Sequence, residues 1–268
     1  MKIRLVVAAL ATIMPHLAYA NVCEPYVGQV VTTIDIDDAI APFKAVGPKG
    51  EFEPTAQYEA RKQQAVNKLG EKLIVKKAPD GRQYLVYDAD AQQLNIVTYA
   101  FDNIPLNTDA LFGYGAPYYG LMGDGYTHID VVIEEDQVIT GSYKASNAYG
   151  ATTVVNKFFR RTRGIYQSNA KSFQEDSLFP NADNEPYYAG SIPMAPQEAM
   201  QLKPTLQFAF VVTPKPPYYL SALYEYPSRP TITTPREITN EVSALIADFQ
   251  CGLVLDKDNK VLGAFETR

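Results

Sequence analysis

Two cysteines, Cys23 and Cys251, stand near opposite ends of the chain, and there is no third. If they are joined, the first and last segments of the fold must lie side by side, whatever the rest of the chain does. The bridge would close a loop of roughly 230 residues, for which the chain-entropy model gives an upper figure of about 5 kcal/mol of stabilisation. Such bonds persist in oxidising compartments, so the pairing depends on export. Two sulfurs held in a bridge are also lost as nucleophiles, which removes cysteine catalysis.

The first twenty residues, MKIRLVVAALATIMPHLAYA, place Lys2 and Arg4 before an apolar run from Leu5 to Met14, followed by Ala18-Tyr19-Ala20. That order is the pattern of a secretory signal peptide, with cleavage expected after Ala20. The run falls short of the about 20 residues that cross a bilayer, and no later stretch reaches that length, so no transmembrane anchor is expected. Cys23 follows Asn21 and Val22 rather than small residues, which argues against lipid attachment. The expectation is an exported chain, periplasmic or secreted, whose mature part, 21–268, is one domain. Losing Lys2 and Arg4 takes the formal net charge from −6 to −8, a balance that disfavours nucleic acid as a partner. The one basic cluster, Lys157, Arg160, Arg161 and Arg163, follows a predicted strand. It reads as a charged strand end that discourages edge pairing, with an anion site as the other reading.

Periodicity predicts a mainly antiparallel α+β fold, a meander or curved sandwich with one or two surface helices. Pro54 and Gly70 bracket a helix over 54–69, and Pro196 opens a shorter one over 195–202. The stretch KLIVKKAPDGRQYLVYDADAQQLNIVTYAF alternates apolar runs with turn residues and reads as a three-stranded meander. Further strands are expected at 129–133, 138–145, 151–160, 206–213, 244–255 and 260–265. Leu206, Phe208, Phe210 and Val212 share one face, as do Leu245, Phe249, Cys251, Leu253 and Leu255. From 213 to 236 six prolines predict extended backbone without regular ladder bonding, packed on the domain by its tyrosines and leucines.

The helix start GEFEPTAQYEAR resembles a stretch found in assorted uncharacterised exported bacterial proteins, F-E-x-T-x-x-Y-x-x-R. The resemblance covers about a dozen residues and implies a bacterial envelope protein, with no activity and no functional residue attached. On the residues themselves, Tyr58 should pack, and Arg61 should face solvent or a neighbouring carboxylate.

The inventory leaves little room for familiar catalysis. Beyond the leader the only histidine is His128, too few for a multi-histidine zinc site, and no G-x-S-x-G stretch supplies an elbow serine. Asp124, His128 and Asp130 form a weak metal grouping, outweighed by a structural role for His128. Asp88-x-Asp90 and Asp256-x-Asp258-Asn259 lack the glycine and distal glutamate of a calcium loop and read as turn residues. No metal and no cofactor are expected. Paired carboxylates are the remaining chemistry, with Glu134, Glu135, Asp136, Asp176, Asp183 and Glu185 as members of any pair.

FGYGAPYYGLMGDGY, residues 112–126, has five glycines and four tyrosines. Glycines let a ligand approach the backbone, and Tyr114, Tyr118, Tyr119 and Tyr126 offer flat faces with hydroxyl rims, so this loop is the candidate binding surface. It reads also as an ordered connection whose tyrosines cap a sheet edge, the reading that nineteen tyrosines spread through the chain favour. The leading expectation is a non-catalytic binding or interaction module of the bacterial envelope, with a ligand or protein partner the sequence does not name. The alternative is a hydrolase of envelope glycan or peptide that works through two carboxylates.

Overall fold

The computed structural model describes residues 22–77, 84–97, 101, 130–167, 188–225 and 229–266. Strand β8 (Arg236–Leu255) organises them, taking the numbering β1 to β9 in chain order. Along one edge it pairs antiparallel with β7 (Gln207–Glu225). Its other edge is shared, first with β5 (Thr152–Gln167) in parallel and then with β9 (Val261–Glu266) antiparallel. Outside these, β1 (Leu73–Lys77) joins β7 and β4 (Asp130–Ser146) joins β5, giving the order β1-β7-β8-β5-β4. A second, antiparallel sheet has the order β2 (Leu85–Asp88), β3 (Gln93–Val97), β6 (Tyr188–Pro193). Three helices accompany them among the described residues: α1 (Ile36–Val46), α2 (Thr55–Leu69) and α3 (Pro196–Leu202). The fold is therefore α+β with mostly antiparallel sheet, and β5–β8 is its parallel pair.

One core spans both sheets. Leu94 and Ile96 of β3 and Ile192 of β6 belong to the same buried cluster as Phe208, Phe210 and Val212 of β7 and Ile36, Ile40 and Phe43 of α1. Phe210 meets Phe249 edge-on at 5.3 Å, an arrangement that aromatic quadrupoles favour. Glycines allow the closest approaches: a Cβ at Gly263 would lie 2.6 Å from Ile192, and one at Gly252 would lie 2.5 Å from the Phe101 ring.

The opposite face of β7 and β8 buries Ala209, Val211, Cys251, Leu253 and Leu255 against Cys23 and Tyr26 of the N-terminal segment. Cys23 and Cys251 are at disulfide distance, with sulfurs 1.98 Å and Cα atoms 5.8 Å apart. Backbone bonds from Gly28 to Val261 and from Val31 to Asn259 fasten the same segment to the last hairpin.

Several expectations change. β1 does not continue into a meander with β2 and β3 but pairs with β7, more than a hundred residues away, because Leu73 and Val75 complete the core beside Phe208–Val212. The strands expected at 129–133 and 138–145 are not separate: from Asp130 on they form one strand, β4, bent by bulges near Ile133 and Thr140. The proline-rich segment carries ladder bonds up to Glu225, broken only between Pro214 and Tyr219. Phe249 and Cys251 do not share a face: Val212 pairs with Phe249 and Val211 with Cys251, so the extra residue Gln250 reverses the alternation and turns Cys251 to the other side. Helix α1, which is not among the helices expected from the sequence, buries Ile36, Ala39, Ile40 and Phe43 at helical spacing.

Candidate functional site

A partly open cleft of about 340 Å³ lies where the α1–α2 corner faces the break in β7. Its first wall is the end of α1, with Phe43, Lys44 and Val46, continued by Gly47 and Pro48. Gly47 takes φ +66°, a left-handed turn that ends the helix and that a side chain would oppose. Tyr58 and Lys62 of α2 form the second wall. Across from them stand Pro217, Tyr219 and Ser221 of β7 and Glu241 of β8.

The break in β7 follows from its prolines. Pro214, Pro216 and Pro217 have no N–H for the ladder, and Pro214 pairs with Ala247 while Tyr219 pairs with Leu245, so the residues between them loop out opposite Ile246. Tyr218, at φ +70°, is carried onto Phe43, where the two rings stack parallel at 5.4 Å. Tyr219 returns to the ladder, and its hydroxyl lies 3.3 Å from Ser243 Oγ. Two adjacent tyrosines, Tyr218 and Tyr219, thus stand at the break in β7 where it faces α1.

The α1–α2 corner is held by the residues of the F-E-x-T-x-x-Y-x-x-R stretch. Glu53 Oε2 accepts from the Gly50 amide at 3.1 Å, and Lys49 Nζ donates to Thr55 Oγ1 at 2.9 Å. Arg61 donates twice to Glu53 and once to the Val46 carbonyl, one of the acceptors a helix end leaves without an intrahelical donor. The bonded Arg61 guanidinium holds the Glu53 carboxyl below the usual carboxylate range. Tyr58 lies beneath two cations, Arg61 at 5.4 Å and Lys62 at 4.8 Å from its ring centre. Phe52, by contrast, is 91% exposed and takes no part in this packing.

Next to the cleft, the basic cluster proves not to mark a strand end. β5 is an interior strand, and its cations have acid partners: Arg161 bonds Asp136 opposite it, Lys157 lies 3.6 Å from Glu237 opposite it, and Arg160, opposite Gln137, lies 3.8 Å from Glu135. Arg163 is buried and reaches Glu134 at 2.9 Å, Asp136 at 3.2 Å and Asp37 of α1 at 3.2 Å. The anion-site reading fails for the same reason, since these cations already have carboxylate partners. Hydrogen bonds from Arg161 and the charges of Arg161 and Arg163 hold the Asp136 carboxyl below its ordinary range despite partial burial. Glu134, Glu135 and Asp136 are therefore engaged with arginines and are not a free acid pair.

Tyr114, Tyr118, Tyr119 and Tyr126 lie outside the described residues, as do Asp124, His128, Asp176, Asp183 and Glu185. Asp130 is the first residue of β4. The aspartates read as turn residues act as such: Asp88 accepts the amides of Asp90 and Ala91, and Asp256 those of Asp258 and Lys260. Among the described residues no three His, Cys, Asp or Glu side chains are grouped to hold a metal ion, and no helix is long and apolar enough to cross a membrane. No protein-family model, curated protein or solved structure matches the chain. Sequence reading missed the cleft because its walls are distant in sequence, although Phe43 at helical spacing and the run Pro216-Pro217-Tyr218-Tyr219 were visible signals.

Proposed function

We propose that the chain is an exported binding module of the bacterial envelope and that it captures a small ligand in the cleft between the α1–α2 corner and β7. The cleft itself carries this reading. Its volume lies at the small end of ligand sites, five of its twelve lining residues carry rings, and a few polar groups converge on it. The leader-like first twenty residues, the cysteine pair at disulfide distance and the resemblance of GEFEPTAQYEAR to exported proteins support the envelope. A carboxylate-pair hydrolase would need two acids facing one substrate, and among the described residues Glu241 is the single acid lining the cleft.

A thermal-shift screen of the oxidised protein against peptidoglycan fragments, oligosaccharides, peptides and divalent cations tests the reading. A ligand at a hundred times its dissociation constant stabilises by about 2.7 kcal/mol, or roughly 5 to 11 °C for a chain of this size. Ser221 is exposed on the cleft wall, so Ser221→Trp should fill the space and abolish the shift without unfolding the protein. A shift that survives this substitution, or no shift with any compound, contradicts the proposal.

A further inference from the structure

We infer that the ligand is a sugar carrying a carboxylate, free or at the end of a polymer; this rests on the cleft being a binding site. Two cations line it, Lys44 from α1 and Lys62 from α2, against the one acid, Glu241. Glu59, paired with Lys62 from outside the lining, takes up that charge, so Lys44, held by a longer contact, is the cation left to meet an anion. Lys44 can respond: its side chain is 63% exposed and its ammonium makes a long 3.8 Å contact with Glu241. Lys62 is different. Its side chain is 13% exposed, its ammonium lies 2.8 Å from Glu59, and Tyr58 and Tyr218 flank it at 4.8 and 6.0 Å, so it is placed in advance.

An incoming carboxylate between the two ammonium groups replaces the long Lys44–Glu241 contact and leaves the Glu241 oxygens to accept hydroxyl protons. Compact anions such as phosphate or sulfate would satisfy the lysines but leave the rings of Tyr219, Pro48 and Pro217 uncovered. A sugar acid matches all three features, with a ring of C–H faces for the apolar walls, hydroxyls for Glu241 and Ser221, and a carboxylate for the lysines. The volume accommodates about one such ring.

Matched pairs isolate the carboxylate: N-acetylmuramate against N-acetylglucosamine, and glucuronate against glucose, titrated into the oxidised protein and followed by NMR. The acid of each pair should bind at least about fivefold more tightly at low salt, with the preference shrinking as salt is added. Lys62→Met and Lys44→Met should each reduce that preference while the unfolding midpoint stays near that of the parent. Equal binding within each pair, lost on Ser221→Trp, would overturn the charge assignment and leave the cleft standing as a sugar site. A preference that survives both lysine substitutions would mean the acid is read elsewhere, and binding of none of the four would overturn the sugar-acid inference. The broader screen judges the cleft independently of that result.

Discussion

Arg61 grips Glu53 through two hydrogen bonds, Nε to Oε1 at 2.7 Å and Nη2 to Oε2 at 2.6 Å, while the same guanidinium donates to the carbonyl of Val46. One side chain of α2 therefore ties together the end of α1, the corner loop and the wall of the cleft. Replacing it tests whether the corner is held by this grip or by packing. Arg61→Met should accelerate amide hydrogen exchange at Gly47 and Gly50 and weaken any cleft ligand, while the amides of β7 and β8 stay protected. Unchanged exchange in the corner loop would show that packing alone holds it.

Acid should attack the same structure from two places. Glu53 and Asp136 both have carboxyl pKa values lowered in the folded state, chiefly by hydrogen bonds from Arg61 and Arg161 respectively. Their contribution to stability is fully present above the ordinary carboxylate value of about 4 and is lost as pH falls through the lower folded values. The unfolding midpoint should thus decline below about pH 4, and Asp136→Asn should flatten that decline while lowering the plateau at neutral pH. An identical pH profile for the variant would remove Asp136 from the account.

How legible this was in the sequence depends on the range of each signal. α2 was readable because Pro54 and Gly70 bracket it locally, and the inward face of β7 because Leu206, Phe208, Phe210 and Val212 alternate without interruption. Local signals failed where a distant partner decided. Nothing in LIVKK announces that β1 pairs with β7, and one inserted residue, Gln250, moved Cys251 to the other face from Phe249. The candidate site suffered most, since its walls come from α1, α2, β7 and β8, and α1 was hidden by Pro42 and its acidic start.

Joining residues 228 apart, Cys23–Cys251 fixes the N-terminal segment across β8 and β9. Reduction, or the double variant Cys23→Ala/Cys251→Ala, should lower stability by up to about 5 kcal/mol if restriction of the unfolded chain dominates. Denaturant unfolding of the oxidised and reduced protein measures this. Coincident transitions would contradict it.

Close packing at Gly252 gives a further test. The Phe101 ring lies where a Cβ would project, so Gly252→Ala should cost about 1–3 kcal/mol through overpacking. Phe210→Ala should cost about 3–5 kcal/mol, since it empties space between Phe249 and Phe101 in the core. Equilibrium unfolding of both variants decides, and a neutral Gly252→Ala would mean that the Phe101 ring moves aside freely.

The central claim is that the cleft binds. It is tested most directly by mapping backbone amide shifts while a stabilising ligand is titrated into the oxidised protein. The account predicts that the largest changes fall on Val46, Gly47, Tyr58, Lys62, Tyr219 and Ser221, which come together only around this space. Changes confined to the far end of the β4–β5 hairpin, or spread with no focus on the cleft, would contradict it.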